Sequence, residues 1–374
     1  MTNTKLYKPY LIMSLLFISR NLWAIKQPSW EAVGNKAFSS GYSSQTKIAI
    51  SPDGTPYVAF LSYVNGNDRV SVMKYSGSKW EDVGYPGINN GTARDLNLVI
   101  SGDNTPYIAF EDTSVGYYRA SVMKFNGVFW EYVGSPGFSN GEASKIHLAI
   151  SSQGVPYVSY SDYNNKSSLI VKKFNLINWV TVGNPDISGG HVDFNNLSID
   201  SNNIPYVAYS YSLATNYEDN KTHVKYFDGC NWESIGRNFT YRKAYNIELQ
   251  ISQNGSPYVA YTSSNRSQFI TYFNGKDWIE LNDIPFDTIQ PISLAIKNNI
   301  PYIAFQNFND NGKGMVIYYD YNQWVILGGE AVSIAAADYI NMAFSSNRIA
   351  YVVYKDYYNK NKVTVMAYDN SEGR

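Results

Sequence analysis

Short apolar stretches alternate with polar turns along almost the whole chain, and the alternation repeats about every 50 residues. One copy reads LNLVIS (96–101), PYIAFED (106–112), RASVMKFN (119–126) and WEYVG (130–134). Runs rich in Val, Ile, Phe, Tyr and Trp between Gly, Asn, Asp and Ser are typical of β-strands joined by turns. No helical periodicity interrupts them. The pattern therefore predicts an all-β protein with four strands in each repeat.

Two markers count the repeats. The dipeptide Pro-Tyr recurs at Pro56, Pro106, Pro156, Pro205, Pro257 and Pro301, and a seventh copy, IAYVVYKD, has Ala350 in the proline's place. A tryptophan recurs in step at Trp30, Trp80, Trp130, Trp179, Trp232, Trp278 and Trp324. Four-stranded repeats of about 40 to 50 residues are typical of propeller blades. We therefore predict a seven-bladed β-propeller with four antiparallel strands per blade.

The two ends of the repeat region complement each other. PSWEAVG (28–34) is an isolated fourth-strand unit, whereas KVTVMAYDN (362–370) is a third strand with no fourth strand after it. If the first of these strands completes the last blade, no blade edge is left open. We predict that the N-terminal strand closes the last blade and that residues 25–374 form one domain.

The repeated residues have structural interpretations. Proline opens the second strand, where a missing N–H does least damage to a sheet. Three places on, the chain has Ala59, and the other copies have Ala or Ser except for Val353. A small residue at this place indicates a crowded contact between neighbouring blades. The tryptophan offers a large surface for burial in the fourth strand.

Composition excludes several function classes. Aromatic residues reach 16% with 34 tyrosines, charged residues are only 16%, and the net charge is −1. This is unlike a disordered chain, and no basic patch suggests a nucleic-acid partner. The three histidines and the one cysteine do not cluster, which gives no metal centre and no intrachain disulfide. No cofactor is expected.

Residues 1–24 differ from the rest of the chain. Lys5 and Lys8 precede an apolar run from Tyr10 to Ser19, and Ala24 follows as a small residue at a cleavage position. This layout is that of a secretory signal peptide. The run is too short to span a bilayer. We expect a secreted protein, or one that is periplasmic or at the cell surface, without a membrane span.

Longer stretches resemble known propeller repeats. MKYSGSKWEDVG (73–84) and MKFNGVFWEYVG (123–134) resemble the second half of a kelch-type blade, but the paired glycines of kelch repeats are absent. GFSNGEASKIHLAISSQGVPYVSYSDY (137–163) resembles a repeat of bacterial secreted seven-bladed propellers. The resemblance covers residues 28–370 and implies the propeller fold together with a broad binding role at a surface.

The loops that join second to third strands, and fourth strands to the next first strand, emerge on one face and are the longer ones. Asp112, Asp162 and Asp356 start equivalent loops, and Tyr63, Tyr163 and Tyr357 come one place further on, in an equivalent position. Tyrosine rings and carboxylates suit the faces and hydroxyls of sugars, so these six residues are the predicted ligand site. Two alternatives stay open: ordinary turn residues, or calcium ligands.

Nothing in the sequence resembles a Gly-x-Ser-x-Gly elbow or a metal-binding His-Glu-x-x-His motif. His147 lies in the first-strand run KIHLAI, where the preceding copy has Asn97, which favours a structural role. No catalytic residue is therefore assigned. The sequence predicts a non-enzymatic, lectin-like protein that binds a glycan through the long-loop face. The alternatives are a scaffold, adhesin or host-directed effector with a protein partner at a surface, and then a glycoside hydrolase.

Overall fold

The structure is a computed structural model that describes residues 28–211, 222–237, 244–263, 267–286 and 292–369. The predicted signal peptide, residues 1–24, lies outside this part of the chain. Among the described residues, no helix is long and apolar enough to cross a membrane.

The described strands form seven four-stranded antiparallel sheets, which we number as blades 1 to 7. Blade 1 has β2 (Ser43–Ile50), β3 (Pro56–Val64), β4 (Asn67–Tyr75) and β5 (Trp80–Asp82). Blade 2 has β6 (Ala93–Ile100), β7 (Pro106–Asp112), β8 (Arg119–Phe125) and β9 (Trp130–Tyr132). Blade 3 has β10 (Ala143–Ile150), β11 (Pro156–Asp162), β12 (Ser168–Phe174) and β13 (Trp179–Thr181).

Blade 4 has β14 (Val192–Ile199), β15 (Pro205–Tyr211), β16 (Thr222–Phe227) and β17 (Trp232–Ser234). Blade 5 has β18 (Ala244–Ile251), β19 (Pro257–Ser263), β20 (Gln268–Phe273) and β21 (Trp278–Glu280). Blade 6 has β22 (Ser293–Lys297), β23 (Ile300–Asn307), β24 (Lys313–Asp320) and β25 (Gln323–Ile326). Blade 7 has β26 (Ala337–Phe344), β27 (Ile349–Asp356), β28 (Lys362–Asp369) and, from the N-terminal end, β1 (Trp30–Ala32). The predicted fold is confirmed.

The N-terminal strand closes the ring as the sequence predicts. β1 pairs antiparallel with β28, with Trp30 opposite Tyr368 and Ala32 opposite Met366. The indole N–H of Trp30 also donates a hydrogen bond to the backbone carbonyl of Leu327 in blade 6, at 3.2 Å. Both strand pairing and a side-chain bond therefore join the two ends of the repeat region.

The hydrophobic core lies between the blades. Among the described residues it consists of seven clusters, each built from the facing sides of two neighbouring blades. Ala59, for example, is fully buried against the apolar face of blade 2. A larger side chain there would force neighbouring blades apart, which explains why the repeats keep this position small.

Each recurring tryptophan also bonds to the preceding blade. The indole N–H of Trp80 donates to the carbonyl of Val33 at 2.8 Å, and that of Trp179 donates to the carbonyl of Val133 at 2.7 Å. Equivalent bonds run from Trp130, Trp232, Trp278 and Trp324. In six of the seven bonds a glycine follows the acceptor residue and leaves room for the ring, whereas Asp283 follows the acceptor of Trp324. A Cβ on Gly84, for example, would lie 2.9 Å from the Trp130 ring, and its φ of +76° is favourable only for glycine.

Connectivity gives the disc two unlike faces. Each first strand begins at the long-loop face and ends at a tight turn on the opposite, short-turn face. The first strands form the inner layer of each blade, around the axis of the ring. Residues near the start of a first strand therefore lie at the mouth of the central channel, on the long-loop face.

Candidate functional site

Among the described residues, a β-bulge interrupts the first strand of five blades at the same point. The pairing register shifts between Ser44 and Lys47 in blade 1, and equivalent shifts occur in blades 2, 3, 5 and 7. The residue at the bulge adopts a left-handed conformation; these residues are Gln45, Asp95, Lys145, Asn246 and Tyr339, with φ between 49° and 55°. Such conformations in non-glycine residues cost about 1–2 kcal/mol each and cluster at functional sites. The bulges therefore indicate a candidate functional site at the channel mouth.

Two residues beyond the bulge, a polar side chain lies opposite the small residue of the second strand. Lys47 is opposite Ala59, and His147 is opposite Ser159. The equivalent positions are polar in all seven blades: Lys47, Asn97, His147, Asn196, Glu248, Ser293 and Asn341. We call this set the channel ring. It is a layer of polar side chains on the innermost strand of each blade.

Members of the channel ring are hydrogen-bonded across blade boundaries. Asn97 donates to the carbonyl of Ile146 at 2.6 Å, and the Asn341 amide donates to the Ser293 hydroxyl at 3.0 Å. The Asn196 amide nitrogen lies 3.3 Å from Nδ1 of His147 and 3.2 Å from a carboxyl oxygen of Glu248. These bonds fix the side chains in place before any ligand arrives, because each is held by a neighbouring blade.

A cavity of about 250 Å³, which we call the mouth cavity, opens between blades 7, 1, 2 and 3. It contains three members of the channel ring and four residues of the bulges. Its lining is Gln45, Thr46, Lys47, Asp95, Leu96, Asn97, Lys145, Ile146, His147, Tyr339 and Ile340. Concave sites with a few convergent polar groups are where small molecules bind.

His147 is neutral in this environment. Burial, which disfavours the charged imidazolium, and the positive charge of Lys47 lower the pKa of His147 to about 3. One ring nitrogen contacts the Asn196 amide, which leaves the other for a ligand. A neutral imidazole beside a lysine can exchange a proton with a bound substrate, and an anionic ligand would raise its basicity by offsetting the lysine charge.

Two carboxyl groups beside the cavity share a hydrogen bond. Burial and the hydrogen bond to Asp95 raise the pKa of Glu111 to about 9, so Glu111 carries a proton at neutral pH. Burial alone would raise the pKa of Asp95, but the hydrogen bond from Glu111 and the charge of Lys145 outweigh it and lower that pKa. The Asp95 carboxylate also accepts the backbone N–H of Lys145 at 2.6 Å. The pair therefore holds one proton and one negative charge.

The mouth cavity has an excess of positive charge. Lys145 is exposed and Lys47 is half-buried, whereas Asp95 is the only ionised carboxylate in the lining. Tyr339 lines the opposite wall, and burial raises its pKa, so its hydroxyl is protonated at neutral pH. This combination favours a ligand with negative charge.

The three predicted aspartates are buried in their own loops. Asp112 accepts the N–H and the hydroxyl of Ser114 at 2.9 and 2.6 Å, and Asp162 accepts the N–H of Asn164 at 3.1 Å. Asp356 accepts the Asn359 amide at 2.7 Å and the Thr364 hydroxyl at 2.9 Å. Each is at most 3% exposed. Their carboxylates shape the loops, as the turn-residue alternative describes.

The three predicted tyrosines are more exposed. Tyr163 and Tyr357 lie on the long loops and are 67% and 48% exposed, whereas Tyr63 lies within β3, opposite Asp68. None of the six residues lines the mouth cavity. A ligand-binding role for them stays a prediction.

The channel ring was not predicted from the sequence, because its members are about 50 residues apart and differ in type. One feature of the sequence could have revealed it: in the aligned repeats, this first-strand position is polar in every copy. His147, interpreted as structural, is part of that set. Among the described residues, no group of three or more His, Cys, Asp or Glu side chains is arranged to hold a metal ion.

Solved structures share this fold at low sequence identity. An ulvan lyase, a polysaccharide lyase bound to -[GlcA(1-4)Rha3S]-, has a TM-score of 0.60 at 10% identity, over 88% of this chain and 94% of its own. The polysaccharide lyase Uly1 has a TM-score of 0.56 at 11% identity, over 94% of each chain. A protein of unknown function from Dyadobacter fermentans has a TM-score of 0.53 at 12% identity, over 91% of this chain and 98% of its own. No family model and no curated protein sequence matches.

The prediction of a non-enzymatic binding protein is wrong on this comparison. The structural neighbours include polysaccharide lyases, which are carbohydrate-active enzymes and not non-enzymatic binding proteins. The physical reason for the error is the absence of a contiguous motif. The chemical groups at the channel mouth come from four different blades, and no short stretch of sequence contains them.

Proposed function

We propose that this protein is a carbohydrate-active enzyme that cleaves an anionic polysaccharide at the channel mouth. One observation carries the proposal: two lysines, a neutral histidine and a carboxylate from three blades converge on one cavity. The same fold in polysaccharide lyases supports it. Fold likeness alone does not assign an activity, so the argument rests on the cavity.

The side chains of the mouth cavity suit cleavage by elimination next to a uronate better than cleavage by hydrolysis. In glycoside hydrolases the two carboxyl groups lie roughly 5–9 Å apart, with the scissile bond between them. Here Asp95 and Glu111 are hydrogen-bonded to each other and act as one unit. In an elimination, Lys47 and Lys145 would neutralise the uronate, which acidifies the neighbouring C–H bond. His147 would then take that proton, because its ring is neutral and partly held by Asn196. As the proton leaves, a C=C bond would form and the C–O bond to the departing sugar would break, and the imidazolium would return the proton to the departing oxygen.

The test is incubation of the purified protein with acidic polysaccharides (ulvan, alginate, polygalacturonate and chondroitin sulfate) and with neutral ones (arabinan and starch). New reducing ends report any cleavage, and ultraviolet absorbance of an unsaturated uronate reports elimination. We expect both with at least one acidic polymer. Reducing ends without absorbance would replace elimination by hydrolysis. No cleavage of any acidic polymer would refute the proposal.

Variants His147→Asn and Lys47→Asn locate the site. Asparagine occupies the equivalent ring position in blades 2, 4 and 7, so these substitutions fit the fold. We expect His147→Asn to lower activity by about 100-fold or more, the range for loss of acid–base catalysis. Lys47→Asn should lower it by a similar factor, about 100-fold, because the uronate loses a positive charge that stabilises the transition state. His191→Asn is the control, since His191 is an exposed histidine outside the mouth cavity. Full activity in both ring variants would exclude the channel mouth.

We also propose that the protein is exported and that its repeats belong with those of bacterial secreted propellers. The support is the layout of residues 1–24 and the repeat pattern of residues 137–163. Extracellular polysaccharides are too large to enter cells, so export would suit the proposed activity. Mass spectrometry of the protein from its native source tests this: a product that begins after Ala24 is expected, and an intact Met1 would contradict it.

A further inference from the structure

A second, larger cavity lies on the other face of the disc, at the rim between blades 4 and 5. It has a volume of about 560 Å³, and we call it the blade 4–5 pocket. Blade 4 contributes Tyr206 and Tyr226, and blade 5 contributes two tight turns and Phe273. The full lining is Ile204, Tyr206, Tyr226, Ser234, Ile235, Gly236, Asn254, Gly255, Ser256, Pro257, Phe273, Asn274 and Gly275.

A single turn position explains why this gap is open. In blades 2, 4 and 6, an asparagine in the left-handed conformation reaches across to the turn of the preceding blade. Asn104 accepts the N–H of Asp53 at 3.2 Å, Asn203 accepts that of Ser152 at 2.7 Å, and Asn299 accepts that of Asn254 at 3.3 Å. In blade 5 the equivalent residue is Gly255, with φ of +83°, and without a side chain it leaves the gap to blade 4 unbridged. Glycine also occupies this place in blades 1 and 3, as Gly54 and Gly154, so the open turn by itself does not distinguish the gap between blades 4 and 5.

A second position gives this gap an aromatic wall. On the third strand, the residue opposite the Pro-Tyr tyrosine is lysine in blades 1, 2 and 3: Lys74, Lys124 and Lys173. In blade 4 it is Tyr226, opposite Tyr206, with ring centroids 6.0 Å apart and planes inclined by 32°. Blades 5 and 6 also have tyrosine here. Asn299 bridges the gap beside blade 5, and beside blade 6 the turn of blade 7 has Arg348, not glycine, at the equivalent place. The open turn at Gly255 and the aromatic wall of Tyr206 and Tyr226 therefore occur together at the blade 4–5 pocket.

The lining suits a neutral sugar ring. Tyrosine rings and Pro257 provide flat apolar surfaces for the C–H face of a pyranose, and amides and hydroxyls at the rim can bond its hydroxyl groups. The carboxamide oxygen of Asn254, a lining residue, accepts two hydrogen bonds within its own turn, so the group that Asn254 offers to a ligand is its amino donor. No charged residue is among the described residues that line the pocket, in contrast to the mouth cavity.

We propose that the blade 4–5 pocket is an accessory binding site for a neutral sugar residue. It lies on the short-turn face, so it would bind carbohydrate without blocking the channel mouth. A polysaccharide held at both places gains avidity from two weak contacts on one chain. The proposal concerns binding alone, and it holds whether or not the mouth cavity cleaves its substrate.

The test is saturation-transfer NMR and titration of the full chain with the methyl glycosides of rhamnose, galactose, glucose and xylose. We expect binding of at least one of them. Tyr226→Lys restores the residue of blades 1 to 3, and Gly255→Asn restores the bridging residue of blades 2, 4 and 6. No atom lies within 4 Å of a Cβ placed on Gly255, so asparagine fits there. Each variant should weaken binding by about tenfold, because each removes an aromatic wall or narrows the gap.

The matched control is Tyr318→Lys, the same substitution at the equivalent position of blade 6. It should leave binding unchanged, since Tyr318 does not line the pocket. No binding of any of the four glycosides, or equal binding by the parent and both pocket variants, would overturn the proposal. Because binding is the readout, failure here is separate from failure of the cleavage assay.

Discussion

The seven indole bonds between blades allow a quantitative test of what burial adds to a hydrogen bond. Trp80 is 8% exposed, and its indole N–H donates to the buried carbonyl of Val33 at 2.8 Å. Trp324 makes the equivalent bond to the carbonyl of Asn282 at 2.7 Å, but that bond lies at the surface. The distances match and the surroundings differ, so the two tryptophans form a natural pair.

Replacing each tryptophan by phenylalanine removes the N–H and keeps an aromatic ring. In Trp80→Phe, the Val33 carbonyl loses its indole donor in a buried position, which costs about 1–3 kcal/mol. In Trp324→Phe, water replaces the indole at the Asn282 carbonyl, and the loss is about 0.5–1 kcal/mol. We therefore expect the free energy of unfolding to fall about 1–2 kcal/mol further in Trp80→Phe than in Trp324→Phe.

Urea unfolding followed by circular dichroism measures both variants against the parent, with the slope of the transition as a check that the unfolded state is unchanged. Trp179→Phe is an internal replicate, because its bond to Val133 is also buried and its ring stacks on Phe138 as that of Trp80 stacks on Phe38. Equal losses in Trp80→Phe and Trp324→Phe, or unequal losses in Trp80→Phe and Trp179→Phe, would refute the reasoning.

Three further predictions concern closure, loops and pH. A chain that starts at Asn35 lacks β1 and exposes the edge of β28, so it should aggregate or unfold at lower urea; size-exclusion chromatography showing a monomer with the parent's midpoint would contradict this. Asp356→Ala should lower the free energy of unfolding in urea by about 1–3 kcal/mol, because Asn359 and Thr364 lose a buried acceptor. The control is Tyr357→Phe at an exposed residue, which should change it by at most roughly 0.5 kcal/mol. Similar values for the two variants would disprove a structural role for Asp356. The folded-state pKa of Glu111 is raised from 4.5 to about 9, so its contribution to stability is complete below pH 4.5 and is lost as the pH rises towards 9. The glutamine in Glu111→Gln cannot ionise, so the urea midpoint of this variant should rise relative to that of the parent as the pH rises from about 5 to about 8. A difference between the two midpoints that stays constant with pH would count against the raised pKa.

The fold could be predicted from the sequence because a propeller repeats its local physics. The apolar runs, the Pro-Tyr and Trp markers and the small residue at Ala59 each recur in step, so every copy supports the interpretation of the others. Closure by the strand at Trp30 also followed from counting, since one unit lacked a partner at each end. These features depend on neighbouring residues in the sequence or on the period of the repeat, and the sequence itself contains both.

The candidate site could not be predicted in the same way. Lys47, Asp95 and His147 lie about 50 residues apart, and only ring closure brings them to one cavity. The altered pKa of Glu111 depends on burial and on contact with Asp95, neither of which a loop or strand pattern contains. For the loop aspartates a local pattern is present, but it does not determine where the carboxylate lies. An aspartate at a loop start has the same sequence pattern whether its carboxylate binds a ligand or, as for Asp356, accepts hydrogen bonds within its own loop. Local hydrogen bonding and periodic burial determined the blades, whereas the juxtaposition of distant side chains around the axis was decided by the tertiary structure.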